Sequence, residues 1–566
     1  MRFWRPRVSA KELTVAAVFA AAIAMAPSAA QAQFGASFDL STLDGTNGFV
    51  INGIDSSDRS GSAVSGAGDV NGDGIDDLII GAPLADPNRN SRAGESYVVF
   101  GKNSGFSSLL NLRTLNGSNG FVINGIDAGD DSGGTVSGAG DVNGDGINDL
   151  IIGADGADPN GNSRAGESYI VFGNQAGFST TLELSALNGT NGFVINGIDR
   201  FDRSGSSVSG AGDVNGDGLS DLIIRGSSAA ESDVVFGQSS GFSSSLNLSA
   251  LDGSNGFSIS GRSAVSVSGA GDINGDGIDD VIIGAPFADP NGNSNAGESY
   301  VVFGSNSGFS SSLDLNALDG TNGFVINGID ANDFSGNSVS GAGDVNGDGL
   351  DDLIIGATFA DSNGNSYAGE SYVVFGSNSG FSSSLDLSTL DGANGLTFSG
   401  ANSNDFSGAS VSGAGDINGD GIDDVTISGG VDEDYVVFGS NSGFSSSLDL
   451  STLDGTNGFV ISGTFPSSVS GAGDINADGI DDLIIGESGA DPNGNSRAGV
   501  SYVVFGRAAS PVLKGDVDMD GDIDFSDIPP FISVLISGVF QAEADCDCSA
   551  VVDFFDIAPF IVLLQQ

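Results

Sequence analysis

Histidine is absent from all 566 residues, tryptophan occurs once, cysteine twice, and only 17 residues are basic. Without imidazole there is no Ser-His-Asp or Cys-His catalysis and no His-ligated zinc. Cys546 and Cys548 are one residue apart, so they form no disulfide across the fold. Acidic residues number 74, giving a formal charge of −57. That balance excludes nucleic acid and anionic membrane surfaces as partners, because both need a basic footprint. Long apolar runs are also missing, except for Leu13–Ala26. This run is short of the ~20 residues of a spanning helix. Arg2, Arg5, Arg7 and Lys11 precede it and Ala30-Gln31-Ala32 follows. The pattern is that of a secretory signal cleaved after Ala32. The mature chain is therefore expected outside the cell or on its surface, without a transmembrane segment, where Ca²⁺ can be abundant.

What is present is one stretch written seven times. Asp69-Val-Asn-Gly-Asp-Gly-Ile-Asp-Asp77 carries side-chain oxygens at positions one, three, five and nine, with glycine at six. Asp69, Asn71, Asp73 and Asp77 can converge on one cation, with the Ile75 carbonyl completing the shell. The second and third copies offer Asp141, Asn143, Asp145, Ile147 and Asp149, then Asp213, Asn215, Asp217, Leu219 and Asp221. The fourth and fifth offer Asp272, Asn274, Asp276, Ile278 and Asp280, then Asp344, Asn346, Asp348, Leu350 and Asp352. The sixth and seventh offer Asp416, Asn418, Asp420, Ile422 and Asp424, then Asp474, Asn476, Asp478, Ile480 and Asp482. Oxygen-only, carboxylate-rich ligation suits Ca²⁺ rather than zinc or copper. An EF-hand would need a bidentate Glu at position twelve and a helix after it. Here position twelve is isoleucine in every copy, within runs such as Asp-Leu-Ile-Ile-Gly. A short β-branched run ending at glycine is a strand signal, so the loop joins two strands of a hairpin.

Successive copies are 72, 72, 59, 72, 72 and 58 residues apart, a repeat of supersecondary size. Each unit has four apolar segments, in the first Ala63–Ala67, Leu78–Ile80, Tyr97–Phe100 and Phe121–Ile123. Four strands in each of seven units predict an all-β, seven-bladed β-propeller of four-stranded blades, spanning residues 33–506. The fourth-strand segment Phe49–Ile51 precedes the first loop, and the seventh unit ends after its third strand. Phe49–Ile51 should therefore complete the last blade and close the ring; an open solenoid is the alternative.

By its loops, its strands and the element Gly81-Ala82-Pro83, repeated at Gly284-Ala285-Pro286, the chain resembles the FG-GAP repeats of integrin α-chain propellers. The resemblance implies a calcium-binding propeller of cell adhesion or extracellular recognition. The pattern departs where Ser60-Gly61 stands for Phe-Gly, where Gly153-Ala154-Asp155 replaces Gly-Ala-Pro, and where Ala477 takes position four of the last loop.

After Gly506 the composition changes. A linker at 507–514 leads to Asp516-Val-Asp-Met-Asp-Gly-Asp-Ile-Asp524-Phe-Ser-Asp527, with candidate ligands Asp516, Asp518, Asp520, Asp522, Asp524 and Asp527. A helical stretch through Phe531, Val534 and Leu535 follows, and a weaker copy starts at Asp545. Residues 515–566 thus resemble a dockerin module, which implies a cohesin-like partner; a calcium-stapled helical anchor is the alternative reading.

Strand direction places the calcium hairpins on one face and the two-to-three loops and inter-blade crossings on the other. Units three and six have a short two-to-three loop and a short crossing after it, so a depression is expected beside each; drift of surface loops explains the same pattern. Glu95, Glu167, Glu298 and Glu370 share one Gly-Glu-Ser position, as structural rather than catalytic residues do, and Glu183, Glu433 and Glu487 have no evident partner. No catalytic residue is assigned. Two functions remain: a non-catalytic Ca²⁺-dependent propeller binding an extracellular protein or glycan, and a dockerin-recruited component of a polysaccharide-degrading assembly.

Overall fold

A computed structural model describes residues 34–226, 231–429, 433–463 and 468–508. The expected signal segment and the dockerin-like module, with all its candidate ligands, lie outside these residues. So do the loop tips at 227–230, 430–432 and 464–467, where the two depressions are expected.

The described chain forms seven sheets and no α-helix. In the first unit the strands Ala63–Gly68, Asp77–Ala82, Glu95–Val99 and Gly120–Asn124 pair antiparallel in chain order. The second strand is covered on both faces: Leu78, Ile79 and Ile80 are all 0% exposed. Continuous apolar runs belong in such strands. Their side chains build seven hydrophobic clusters, one at each seam between neighbouring blades.

The expected count of four strands per blade is corrected to five. Thr181–Glu183, from the following unit, adds in parallel to the outer edge at Gly120–Asn124, and every blade repeats this. A three-residue strand such as Ser-Leu-Asp is too short to show a period in the sequence.

The ring closes as the segment order requires. Gly48–Asn52 pairs antiparallel with Val500–Val504, and Phe49 faces Val503. A second closure was not legible. Ser37–Asp39 adds in parallel to Gly458–Ser462 of the sixth blade, and the Phe34 ring stacks on Phe459 at 4.2 Å. One end of the described chain thus completes two blades.

The innermost strands explain their Gly-Ala-Gly sequence. A methyl group on Gly269 would sit 2.9 Å from the carbonyl oxygen of Gly210, and one on Gly210 would sit 2.9 Å from that of Gly138. The approach recurs around the axis at 3.0–3.1 Å, so glycine lets seven strands converge there without displacing their neighbours.

The two faces are as expected. Crossing residues bond to the preceding two-to-three loop, as in Ser132 N–H to the Ala93 carbonyl at 3.1 Å, repeated at the closing seam by Ser60 and Ala498 at 3.0 Å. The Asp-rich hairpins lie at the other end.

Candidate cation loops and the opposite face

Each loop is folded around its own acids. Asp69 Oδ1 accepts the N–H groups of Gly72 and Asp73 at 2.7 and 3.0 Å, and Oδ2 accepts that of Gly74 at 2.7 Å. Asp73 Oδ1 accepts Ile75 N–H at 3.1 Å. Asp77 accepts Val70 N–H at 3.0 Å and Gly101 N–H at 2.9 Å, while the Asn71 amide donates to both its oxygens. Gly72 and Gly74 have φ of 74° and 86°, which brings the amides inward. The position-nine contacts recur in all seven loops.

Position nine is the electrostatic problem of the fold. Asp77, Asp149, Asp221, Asp280, Asp352, Asp424 and Asp482 are each 0% exposed. Burial, partly offset by N–H donation and reinforced by the acids at positions five and one, pushes Asp77 up to about 8 and Asp149 to about 7. None of the four ion pairs among the described residues engages a loop carboxylate. Nor do three acidic side chains stand together as a formed metal site among those residues. The donor set nonetheless fits a hard cation: its side-chain donors are oxygens, and its buried carboxylate has no basic neighbour.

Ala477 holds φ of 61° where the other loops have glycine. The left-handed region costs an L-residue about 1–2 kcal/mol, against up to about 1 kcal/mol of entropy for glycine. Ala477→Gly should therefore stabilise the protein by about 0.5–1 kcal/mol, read as a higher denaturant midpoint at unchanged slope.

The carboxylates left without partners by the sequence all have them. Glu183 accepts the amides of Asn88 and Asn124 at 3.0 and 2.8 Å. Glu433 accepts the Tyr435 hydroxyl at 3.0 Å, the same pairing that Glu370 makes with Tyr372 at 2.6 Å. In the seventh unit the acid has changed strands: Val500 takes the Glu95 position, and Glu487, its cross-strand neighbour, accepts the Tyr502 hydroxyl at 3.0 Å. A pair restored from the opposite strand marks a structural role.

Unit three has Asp233 in place of that tyrosine, 4% exposed, accepting the Ser258 hydroxyl at 2.6 Å. Burial first, then Glu231 and Asp202, push it up to about 7. The folded state keeps a proton that the unfolded chain loses near pH 4, so Asp233 destabilises the fold increasingly from about pH 4 to about pH 7. Asp233→Asn should be close to neutral at pH 4 and stabilising by up to about 3–4 kcal/mol at pH 8, in paired denaturant titrations.

The face opposite the loops is divided. Seven exposed arginines, Arg59, Arg89, Arg92, Arg164, Arg200, Arg203 and Arg497, stand on the loops of units one, two, three and seven. Between Arg262 and Arg497 the chain has no Lys or Arg at all. There the tips are aromatic: Phe287, Phe359 and Tyr367 are 60%, 39% and 48% exposed. Phe334 joins Phe287 to Phe359 with ring centroids 5.7 and 5.3 Å apart, and Tyr367 stacks on Phe406 at 6.1 Å. Beside them a hollow of about 500 Å³ is lined by Asp330, Asn332, Asp333, Phe359, Tyr367 and Glu370. Burial and the charges of Asp330 and Glu370 push Asp333 up to about 7. This sector was missed in the sequence, although Tyr367 standing where Arg92, Arg164 and Arg497 stand was its signal.

Comparison with known proteins agrees with this geometry. Residues 60–99, 132–171, 264–302, 335–374 and 465–504 match the FG-GAP repeat. The chain carries FG-GAP repeats. The matched stretches are units one, two, four, five and seven; the two unmatched units are those with the short two-to-three loop. Phosphatidylinositol-glycan-specific phospholipase D of Bos taurus is 32% identical over 185 residues, 31% of this chain and 21% of that protein. Integrin alpha-4 of Xenopus laevis is 30% identical over 164 residues, 29% and 14% of the two chains. Integrin alpha pat-2 of Caenorhabditis elegans is 39% identical over 97 residues, 17% and 7%. The chain thus spans about a fifth or less of the length of these relatives. No helix among the described residues is long and apolar enough to cross a membrane.

Proposed function

We propose that this is a secreted, non-catalytic propeller whose seven loops bind Ca²⁺ and whose opposite face binds an extracellular protein or glycan. The observation that carries it is the position-nine carboxylate, fully buried in all seven units beside two further acids. A cation is the simplest counter-charge for such a group. Equilibrium dialysis should find about seven Ca²⁺ per chain; one or none would sink the reading.

For the ligand, the resemblance to integrin α-chains supports extracellular recognition, and the aromatic sector supplies the contact. Exposed rings beside carboxylates, with no basic residue, accept cationic or hydroxyl-rich groups and repel polyanions. Protein and glycan arrays probed with and without Ca²⁺ test this. Truncating two central anchors, Phe359→Ala with Tyr367→Ala, should weaken binding at least about tenfold. Binding that survives the double substitution would move the site elsewhere. The alternative, recruitment to a polysaccharide-degrading assembly, rests on the Asp516–Asp527 motif; capture by cohesins of the whole chain, but not of a chain ending at 508, would favour it.

A further inference from the structure

Position eight of the loop lies outside the candidate ligand positions one, three, five, seven and nine. In the structure it reaches across the seam to the loop of the preceding blade. Asp279 Oδ2 accepts Asp213 N–H at 2.7 Å, and Asp279 N–H donates back to the Asp213 carbonyl at 3.2 Å. Asp351 accepts Asp272 N–H at 2.8 Å, Asp423 accepts Asp344 N–H at 2.8 Å, and Asp481 accepts Asp416 N–H at 2.9 Å. Across the closing seam Asp76 accepts Asp474 N–H at 3.0 Å. The glycine before each loop makes room: a methyl on Gly212 or Gly271 would sit 2.2 Å from the incoming carboxylate oxygen. Two seams lack this contact. Asn148 and Ser220 hold position eight in units two and three, where only the backbone bonds to the Asp69 and Asp141 carbonyls remain, both at 3.1 Å.

We propose that these five aspartates are positioning residues that couple neighbouring cation loops, so that Ca²⁺ binds cooperatively around an arc from unit three through unit seven to unit one. The proposal rests on the calcium occupancy proposed above. Position eight lies between two ligand positions of its own loop, the position-seven carbonyl and the position-nine carboxylate. Its carboxylate fixes position one of the loop before it. An ion that orders one loop therefore orders part of the next, and the second ion meets less disorder to remove. A carboxylate accepting a backbone N–H is a strong, short link. The second backbone contact, as in Ser305 N–H to the Val214 carbonyl at 2.8 Å, is present at all seven seams and does not distinguish them. The loop of unit two, without a carboxylate clamp on either side, is the one that should fill independently.

The test is a Ca²⁺ titration of the full chain by calorimetry with chelator competition. Wild type should show a Hill coefficient of about 2 or more. Asp351→Ala, which cuts the arc between units four and five, should lower that coefficient while the number of bound ions and the Ca²⁺-loaded melt stay the same. Asn148→Asp with Ser220→Asp should raise it by extending the arc, a gain that a merely structural role would not produce. Seven ions bound with a coefficient of 1, or a steepness unmoved by both variants, overturns the coupling and leaves the calcium reading standing. No bound ions overturns both.

Discussion

Chelation should lower the melting temperature of this protein by about 20–40 °C. At a hundredfold excess over its dissociation constant, one site contributes about 2.7 kcal/mol by mass action. Seven independent loops would contribute roughly 19 kcal/mol on that basis. In a chain this large each kcal/mol moves the midpoint by only about 1–2 °C. The sign follows from the loops themselves. Three carboxylates about 4 Å apart repel by ~1–4 kcal/mol per pair, depending on how wet the site is. Position nine is wholly buried, and there is no cysteine among residues 34–508 to offset the loss with a disulfide. Differential scanning calorimetry with excess chelator, and after restoring Ca²⁺, reads the effect. A melt unchanged by chelator would remove the ion from the structure.

Deleting residues 34–52 should abolish cooperative unfolding. The segment supplies the fifth strand of the sixth blade and the fourth of the seventh, on either side of one seam. Its loss uncovers the cluster containing Phe438, Phe459 and Ile485, and that containing Ile484 and Val503. A ring with two incomplete blades also exposes strand edges that the closed form lacks. The milder Phe34→Ala removes a ring only 1% exposed and should cost about 3–5 kcal/mol. Calorimetry and limited proteolysis separate the outcomes: a deletion variant that melts like its parent would mean the ring does not depend on this closure.

Much of this was legible because the repeat amplifies local signals. One Asp-x-Asn-x-Asp-Gly-x-x-Asp stretch is an ordinary turn; in seven copies its spacing gives the unit, the hairpin and the blade number. Asn148 and Ser220 stand out only against Asp76, Asp279, Asp351, Asp423 and Asp481. What escaped the sequence were contacts between units. Glu183 takes its partners Asn88 and Asn124 from the preceding unit, and the three-residue outer strands have no period of their own.

The sequence by itself determined what is set within about ten residues: glycine positions that allow the loop, apolar runs that must be covered on both sides, and acids that need a counter-charge. Only the tertiary structure decided which acid of one blade holds the loop of another, and that Phe34 belongs to the sixth blade. It also decided that aromatic tips from three units share one face. The reason is geometric. Closing a ring brings residues as far apart in the chain as Gly48 and Val504 into register, and side-chain pattern alone does not specify which neighbours meet across a seam.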